Sequence, residues 1–265
     1  MTKRFFRTTG AAIILLFFGT GIMSAKDGGK TRVFLLGGQS NMVGSAQAKN
    51  LTPPYSKPFP KVTIWQPKTK TWQPLAADVV NKRGRFGPEI AFGHEIAAAF
   101  PDDDIRLVKY AAGGTALYND WAPTTGRQYL AFMGTVKAAL ADLDGAKVDY
   151  DVAGMLWLQG ESDAHENKAE TYEANLTAFI AHMRTAFKTP EMPFIIARVY
   201  HFYGGKSGQA KIVRDAQVKI AESDKNVGWF DTDDCDLLNA GHYNAAGILK
   251  IGTRFAAEYK KESQP

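Results

Sequence analysis

Five short apolar runs, at residues 31–36, 105–110, 151–158, 193–199 and 227–231, alternate along this chain with segments of helical periodicity. The runs are rich in β-branched and aromatic residues and lack the in-out alternation of a sheet with one wet face. That pattern belongs to parallel strands covered on both sides. Between them lie apolar stripes at helical spacing. Leu130, Met133, Val136, Leu140 and Leu143 form one; Tyr172, Leu176, Phe179, Ile180, Met183 and Phe187 form the longest. Ile212, Val213, Ala216 and Ile220 form a third, and Ile248, Ile251, Phe255 and Tyr259 the last. Strands that alternate with helices give one doubly wound α/β domain.

The stretch 45–86 breaks this rhythm with Pro53, Pro54, Pro58, Pro60, Pro67 and Pro74 and two strand-like pieces, 62–65 and 71–72. It reads as a long excursion with a small hairpin that walls one side of a cleft, since long loops between core elements are disproportionately functional. Phe86-Gly-Pro-Glu89 then starts a helix with proline near its first position.

Ligands of open α/β sheets bind at the carboxyl ends of the strands, so polar residues there carry the functional reading. The first run ends in Gly37-Gly-Gln-Ser40, a strand breaking into a tight turn that exposes a hydroxyl. Serine is a weak nucleophile and needs a positioned base, most often histidine. His242, in Asn239-Ala-Gly-His-Tyr-Asn244 at the entry to the last helix, is the candidate. The third run leads into Trp157-Leu-Gln-Gly-Glu-Ser-Asp163. From it Glu161 can orient the histidine and Gln159 can donate its amide to an oxyanion; Ser162 and Asp163 are equally good helix caps. The second run ends in Gly113-Gly114, where glycine permits an exposed N–H suited to an oxyanion, or simply a tight turn. Glu89, Tyr118 and Trp121 are candidate substrate contacts, the aromatics by stacking on a sugar ring, although helix-dipole and core-packing roles explain them as well.

With these segments in order, the chain resembles the sialate O-acetylesterase/carbohydrate esterase family six branch of the SGNH hydrolases. The GQSNM, KYAAGGT, WLQGESD and late His-Tyr-Asn segments carry the resemblance, with Phe86-Gly-Pro-Glu89 and Arg214-Asp-Ala-Gln217 as further landmarks, over most of residues 31–256. It implies a three-layer α/β/α sandwich with a five-stranded, mostly parallel, flavodoxin-like sheet. It also implies hydrolysis of acetyl esters on oligo- or polysaccharides, with Ser40 as nucleophile and His242 as base. The oxyanion would be held by the N–H of Ser40, the N–H of Gly113 or Gly114, and the amide of Gln159. No metal or cofactor is implied.

One position departs from the wider pattern. Many SGNH enzymes carry aspartate three residues before the histidine, and here that residue is Asn239. A neutral amide does not stabilise an imidazolium; the comparable Asp→Asn change in a serine protease costs about four orders of magnitude in rate. The branch resembled here can use the glutamate of its WxQGE segment instead, so Glu161 is the expected acid and Asp236 the weaker alternative. Asn239 is then left to hold the loop or touch substrate. A lipid esterase or thioesterase on the same fold, or a carbohydrate-binding protein with decayed catalysis, are the competing readings.

Residues 1–25 have the form of a secretory signal peptide. Lys3, Arg4 and Arg7 precede the apolar core Ala11–Phe18, and Met23-Ser-Ala25 offers a small residue for cleavage. The expectation is a secreted or periplasmic protein with one esterase domain over 26–265 and no stable membrane insertion. Of the 32 basic residues three lie in this segment, leaving 29 against 27 acidic ones. That near-neutral balance, without a Lys/Arg stripe, argues against nucleic acid as a partner. Cys235 is the single cysteine and stands among Asp233, Asp234 and Asp236, whose charge disfavours a thiolate nucleophile.

Overall fold

In the computed structural model, which describes residues 29–80, 84–165, 168–201 and 208–263, the alternation resolves into eleven strands and eight α-helices. In chain order they are β1 (Thr31–Gly38), α1 (Ser40–Val43), β2 (Ala46–Gln47), β3 (Phe59–Gln66), β4 (Thr71–Leu75), α2 (Ala77–Val80), β5 (Arg85–Phe86), α3 (Glu89–Ala99), β6 (Asp104–Ala111) and α4 (Arg127–Gly145). There follow β7 (Tyr150–Leu158), α5 (Glu161–His165), α6 (Tyr172–Phe187), β8 (Phe194–Ala197), α7 (Gln209–Ser223), β9 (Val227–Phe230), β10 (Leu237–Asn239), β11 (His242–Tyr243) and α8 (Ala245–Glu262). The segment read as a signal peptide lies outside the described residues.

The main sheet has seven strands in the order β4-β3-β6-β1-β7-β8-β9. The five expected core strands are all present, and from β6 to β9 they run parallel. Numbered among themselves they follow the order 2-1-3-4-5, which places a topological switch point between β1 and β7. The expected strand count was two short. The proline-rich excursion does form a hairpin, but β3 also pairs in parallel with β6 at Val62–Ile64, so the hairpin extends the sheet.

Side chains of one strand separate onto two faces, as the pleat requires. Val33 and Leu35 of β1 join Met155, Trp157 and Phe194 in a core covered by α4, α6 and α7. Phe34 and Leu36 join Leu156, Leu158 and Ile195 in a second core covered by α3 and α8. The result is the three-layer α/β/α sandwich. The expected helical stripes are slightly rotated in two places. Leu130 is 53% exposed and Ile212 37%, while Tyr129, Phe132 and Ala139 complete the buried face of α4.

Candidate active site

The turn that carries Ser40 follows from the end of β1. Gly38 has φ +150°, and a Cβ there would stand 2.2 Å from the carbonyl oxygen of Leu158, so a side chain is excluded on both counts. The chain reverses at Gln39, whose N–H donates to that same carbonyl at 3.0 Å, and Ser40 opens the single turn α1. The first N–H groups of a helix have no intrahelical acceptor, so the N–H of Ser40 is placed to hold an oxyanion beside its own hydroxyl.

The hairpin β10–β11 brings in His242. His242 Nε2 lies 3.1 Å from Ser40 Oγ although the two residues are 202 positions apart. The ring's Nδ1 lies 3.2 Å from Asn239 Oδ1. That same oxygen accepts the N–H of Gly241 at 2.9 Å, which decides which end of the amide faces the ring, because a main-chain N–H cannot pair with an NH2 group. Asn239 therefore accepts from Nδ1–H, and this tautomer leaves Nε2 free to take the serine proton.

Glu161, the expected partner of His242, is elsewhere. It is buried, its Oε1 accepts from Asn41 Nδ2 at 3.2 Å, and its Oε2 has no hydrogen-bond partner. Burial pushes its carboxyl above the ordinary glutamate range and neighbouring Asp163 adds to the rise, while hydrogen bonding, that from Asn41 included, acts the other way. The second ring contact belongs to Asn239, and geometry gives Glu161 no direct hold on the imidazole. Asp236 is exposed, and its carbonyl, accepting from Asn244 N–H at 3.0 Å, is what ties it to the hairpin.

Three other expectations change. Gln159 is fully buried, and its amide donates to Thr115 O at 3.0 Å and Asp163 Oδ2 at 2.6 Å. Both N–H bonds are thus spent, and Gln159 braces the glycine loop instead of facing an oxyanion. Trp121 is fully buried between Trp157 and Phe132, with its indole N–H donated to Thr115, so it offers no face to a sugar. Glu89 is fully buried as well: its Oε2 is 2.5 Å from Lys109 Nζ and its Oε1 accepts the N–H of Gly87. That ion pair also supports the turn, since Lys109 donates to the carbonyl of Val43 at 3.1 Å. Burial draws the Lys109 amine below its ordinary range, against the opposing pull of Glu89.

Of the two glycines, Gly113 is the one beside Ser40: a Cβ on it would lie 3.5 Å from the serine Cβ, whereas one on Gly114 would meet nothing within 4 Å. Asp163, read from sequence only as a cap, holds this loop. Its carboxylate accepts the N–H groups of Leu117 at 2.8 Å and Tyr118 at 3.2 Å besides the Gln159 amide. Its spacing of four from Gln159, on a strand end leading into a helix, was the available signal. The Arg214–Gln217 landmark proves to be scaffolding. Arg214 forms a two-pronged pair with Asp233 at 2.9 and 2.7 Å, and Gln217 Nε2 donates to Gln159 O at 3.0 Å. Cys235 is buried, and its thiol is pushed up to about 11, largely by that burial.

Beside the turn a cleft of about 480 Å³ runs between α1 and the β3–β4 hairpin, lined by Val43, Trp65, Lys68, Gln73, Lys109 and Tyr110 among others. It lies at the carboxyl ends of β3 and β6, where the register pairs Ala111 with Gly38. The excursion thus walls a cleft whose lining reaches Val43 of α1 but includes neither Ser40 nor His242. Among the described residues no helix is long and apolar enough to cross a membrane.

A hydroxyl backed by a histidine whose far nitrogen is held by an acceptor, at the switch point of a parallel sheet, defines a hydrolase site of the SGNH type. Residues 30–261 match the family model described as "Carbohydrate esterase, sialic acid-specific acetylesterase", and the chain belongs to this family of carboxylic ester hydrolases. Among solved structures it is similar in fold to an Arabidopsis thaliana protein, with TM-score 0.74 at 23% identity, covering 88% of this chain and 98% of that one. It is likewise similar to NanS, with TM-score 0.69 at 13% identity over 88% and 97% of the two chains. A carbohydrate acetylesterase from Xanthomonas citri matches with TM-score 0.65 at 19% identity, over 87% of this chain but 56% of that one. A sequence search of proteins with curated functions finds no match.

Proposed function

We propose that this carbohydrate esterase is an exported serine enzyme that removes O-acetyl groups from sugars through an acetyl-enzyme. The observation that carries the reading is the 3.1 Å contact of Ser40 Oγ with His242 Nε2. Ser40 attacks the ester carbonyl while His242 takes its proton, and the N–H groups of Ser40 and Gly113 hold the oxyanion. His242 returns the proton to the departing sugar hydroxyl. Water, deprotonated by the same histidine, then releases acetate and restores Ser40.

Asn239 fixes the tautomer but adds no charge, so the imidazolium is supported by a dipole alone. The acetylated sugar occupies the cleft between α1 and the β3–β4 hairpin, where Gln73 and Lys68 offer polar contacts and Tyr110 a half-buried ring. Export rests on the basic start and apolar core of residues 1–25. Acetate release from a panel of acetylated mono- and polysaccharides, with intact-mass detection of one added acetyl group on Ser40, tests the chemistry. Turnover by Ser40→Ala would refute it. A preference for long-chain acyl esters over acetylated sugars would replace it with a lipid esterase. Amino-terminal sequencing of the extracytoplasmic fraction tests export, and an intact Met1 there would refute cleavage.

A further inference from the structure

We propose that Asn41, held in orientation by Glu161, locks the base-bearing hairpin onto the nucleophile turn, a positioning role that rests on the serine esterase reading above. Asn41 follows Ser40 directly and is buried. Its Nδ2 donates to the carbonyl of Gly241 at 3.2 Å, and its Oδ1 accepts the N–H of Tyr243 at 3.4 Å. One side chain thus grips the main chain on both sides of His242 while its own backbone carries on from Ser40. The distance between nucleophile and base is set across this short bridge.

The remaining Nδ2 proton goes to Glu161 Oε1 at 3.2 Å. That acceptor decides which way the amide points. Turned over, the amide would set its oxygen against the Gly241 carbonyl and against a carboxylate, and its NH2 against the Tyr243 N–H. Glu161 is a buried carboxyl with one oxygen partnered by Asn41 and the other by nothing, and it makes no contact with the imidazole. Its influence on His242 runs through Asn41, and it needs an acceptor at Oε1, not a charge.

The test is steady-state hydrolysis of p-nitrophenyl acetate by the full chain and its variants, with thermal midpoints and pH profiles. Asn41→Ala is expected to lower kcat by about 100-fold with KM within about twofold, a split that a merely structural role would not produce. Glu161→Ala is expected to lose about 10-fold or more, and Glu161→Gln, which keeps the acceptor, to stay within about threefold with an unchanged pH profile. The double variant Asn41→Ala/Glu161→Ala should be no worse than Asn41→Ala alone, because the second residue acts through the first. Wild-type kcat in Asn41→Ala, multiplying losses in the double variant, or a folded Glu161→Gln as dead as Ser40→Ala would each overturn the proposal. The last result would return the charge of Glu161 to direct service of His242. Should Asn41→Ala not fold, the Ala and Gln variants of Glu161 carry the same decision. An inactive wild type would overturn the esterase reading together with this one; an active wild type with an indifferent Asn41 overturns only this one.

Discussion

The two halves of the candidate site are built to different standards. Ser40 stands at the end of β1, an eight-residue strand paired along its whole length with β6 and β7. Beneath it the buried side chains of Gln159, Asp163 and Tyr172 and the carbonyl of Thr115 are joined by hydrogen bonds of 2.6 to 3.3 Å. His242 stands on a hairpin of three and two residues that belongs to no larger sheet, and its supporting Asn239 is exposed. The hairpin is held from below by a few contacts: Asn41, the Tyr243 hydroxyl on Thr232 at 2.8 Å, and the Asn244 cap of α8 at 3.0 Å. Ser40 is thus placed by the core of the fold, and His242 by a handful of polar contacts at its surface. Changes on the first side should be felt in stability, and changes on the second in rate.

The largest expected effect isolates the chemistry from both. Ser40→Ala removes the attacking atom from a half-exposed position and should lower kcat by at least about 10⁴-fold. Its thermal midpoint should stay within a degree or two; a large drop would mean that the hydroxyl also holds the fold.

Asp163→Ala is the strongest stability test of the nucleophile side. It strands the buried N–H of Leu117, the half-buried N–H of Tyr118 and one proton of Gln159. Leaving such donors unpaired should cost about 2–4 kcal/mol, read from urea unfolding. A loss under half a kcal/mol would show that this web is not what makes the nucleophile side rigid.

The base side predicts the reverse. Asn239→Ala should cost about tenfold in kcat while the urea midpoint barely moves, since exposed substitutions rarely exceed half a kcal/mol. Asn239→Asp supplies the missing charge to the imidazolium while still accepting from Gly241. It should raise kcat about tenfold at neutral pH, well short of the 10⁴ of a buried triad acid, because solvent screens an exposed carboxylate. An unchanged rate would mean that proton transfer to His242 does not limit turnover.

The smallest effect is a pH dependence. Glu161 titrates higher in the folded chain than in the unfolded one, chiefly through burial. The folded state then binds the extra proton, so this residue's contribution is fully present below the ordinary glutamate range. It declines as pH rises through the folded value. Glu161→Gln removes that loss, so its stability relative to wild type should improve as pH is raised from 4 to 8. Asp163, raised in the same direction by burial, remains in both proteins. A difference that stays flat with pH would show that Glu161 is ordinary in its proton affinity.

What was legible in the sequence tracks the same division. The strand runs, the Gly37-Gly-Gln-Ser40 turn and the histidine at the entry to α8 are local patterns, and each sits where its periodicity or turn chemistry put it. Glu161 and Gln159 follow a core strand, Glu89 opens α3 and Trp121 lies in the loop after β6, yet all four are buried and engaged with the protein itself. Periodicity tells which end of a strand a residue occupies; it does not tell whether its last hydrogen bond points to a ligand or to the protein. Asn41 carried no signal of its own, because its partners Gly241 and Tyr243 lie some 200 positions away.

The sequence by itself determined that five apolar runs would stack as a parallel sheet with Ser40 at the lip of the first, because burial of continuous apolar strands and the glycine demands of the turn are local and strong. Only the tertiary structure decided which acceptor meets His242. The choice among Asn239, Glu161 and Asp236 turns on hydrogen bonds of about 3 Å, and those are fixed by how a surface hairpin settles against α1 after the core has formed.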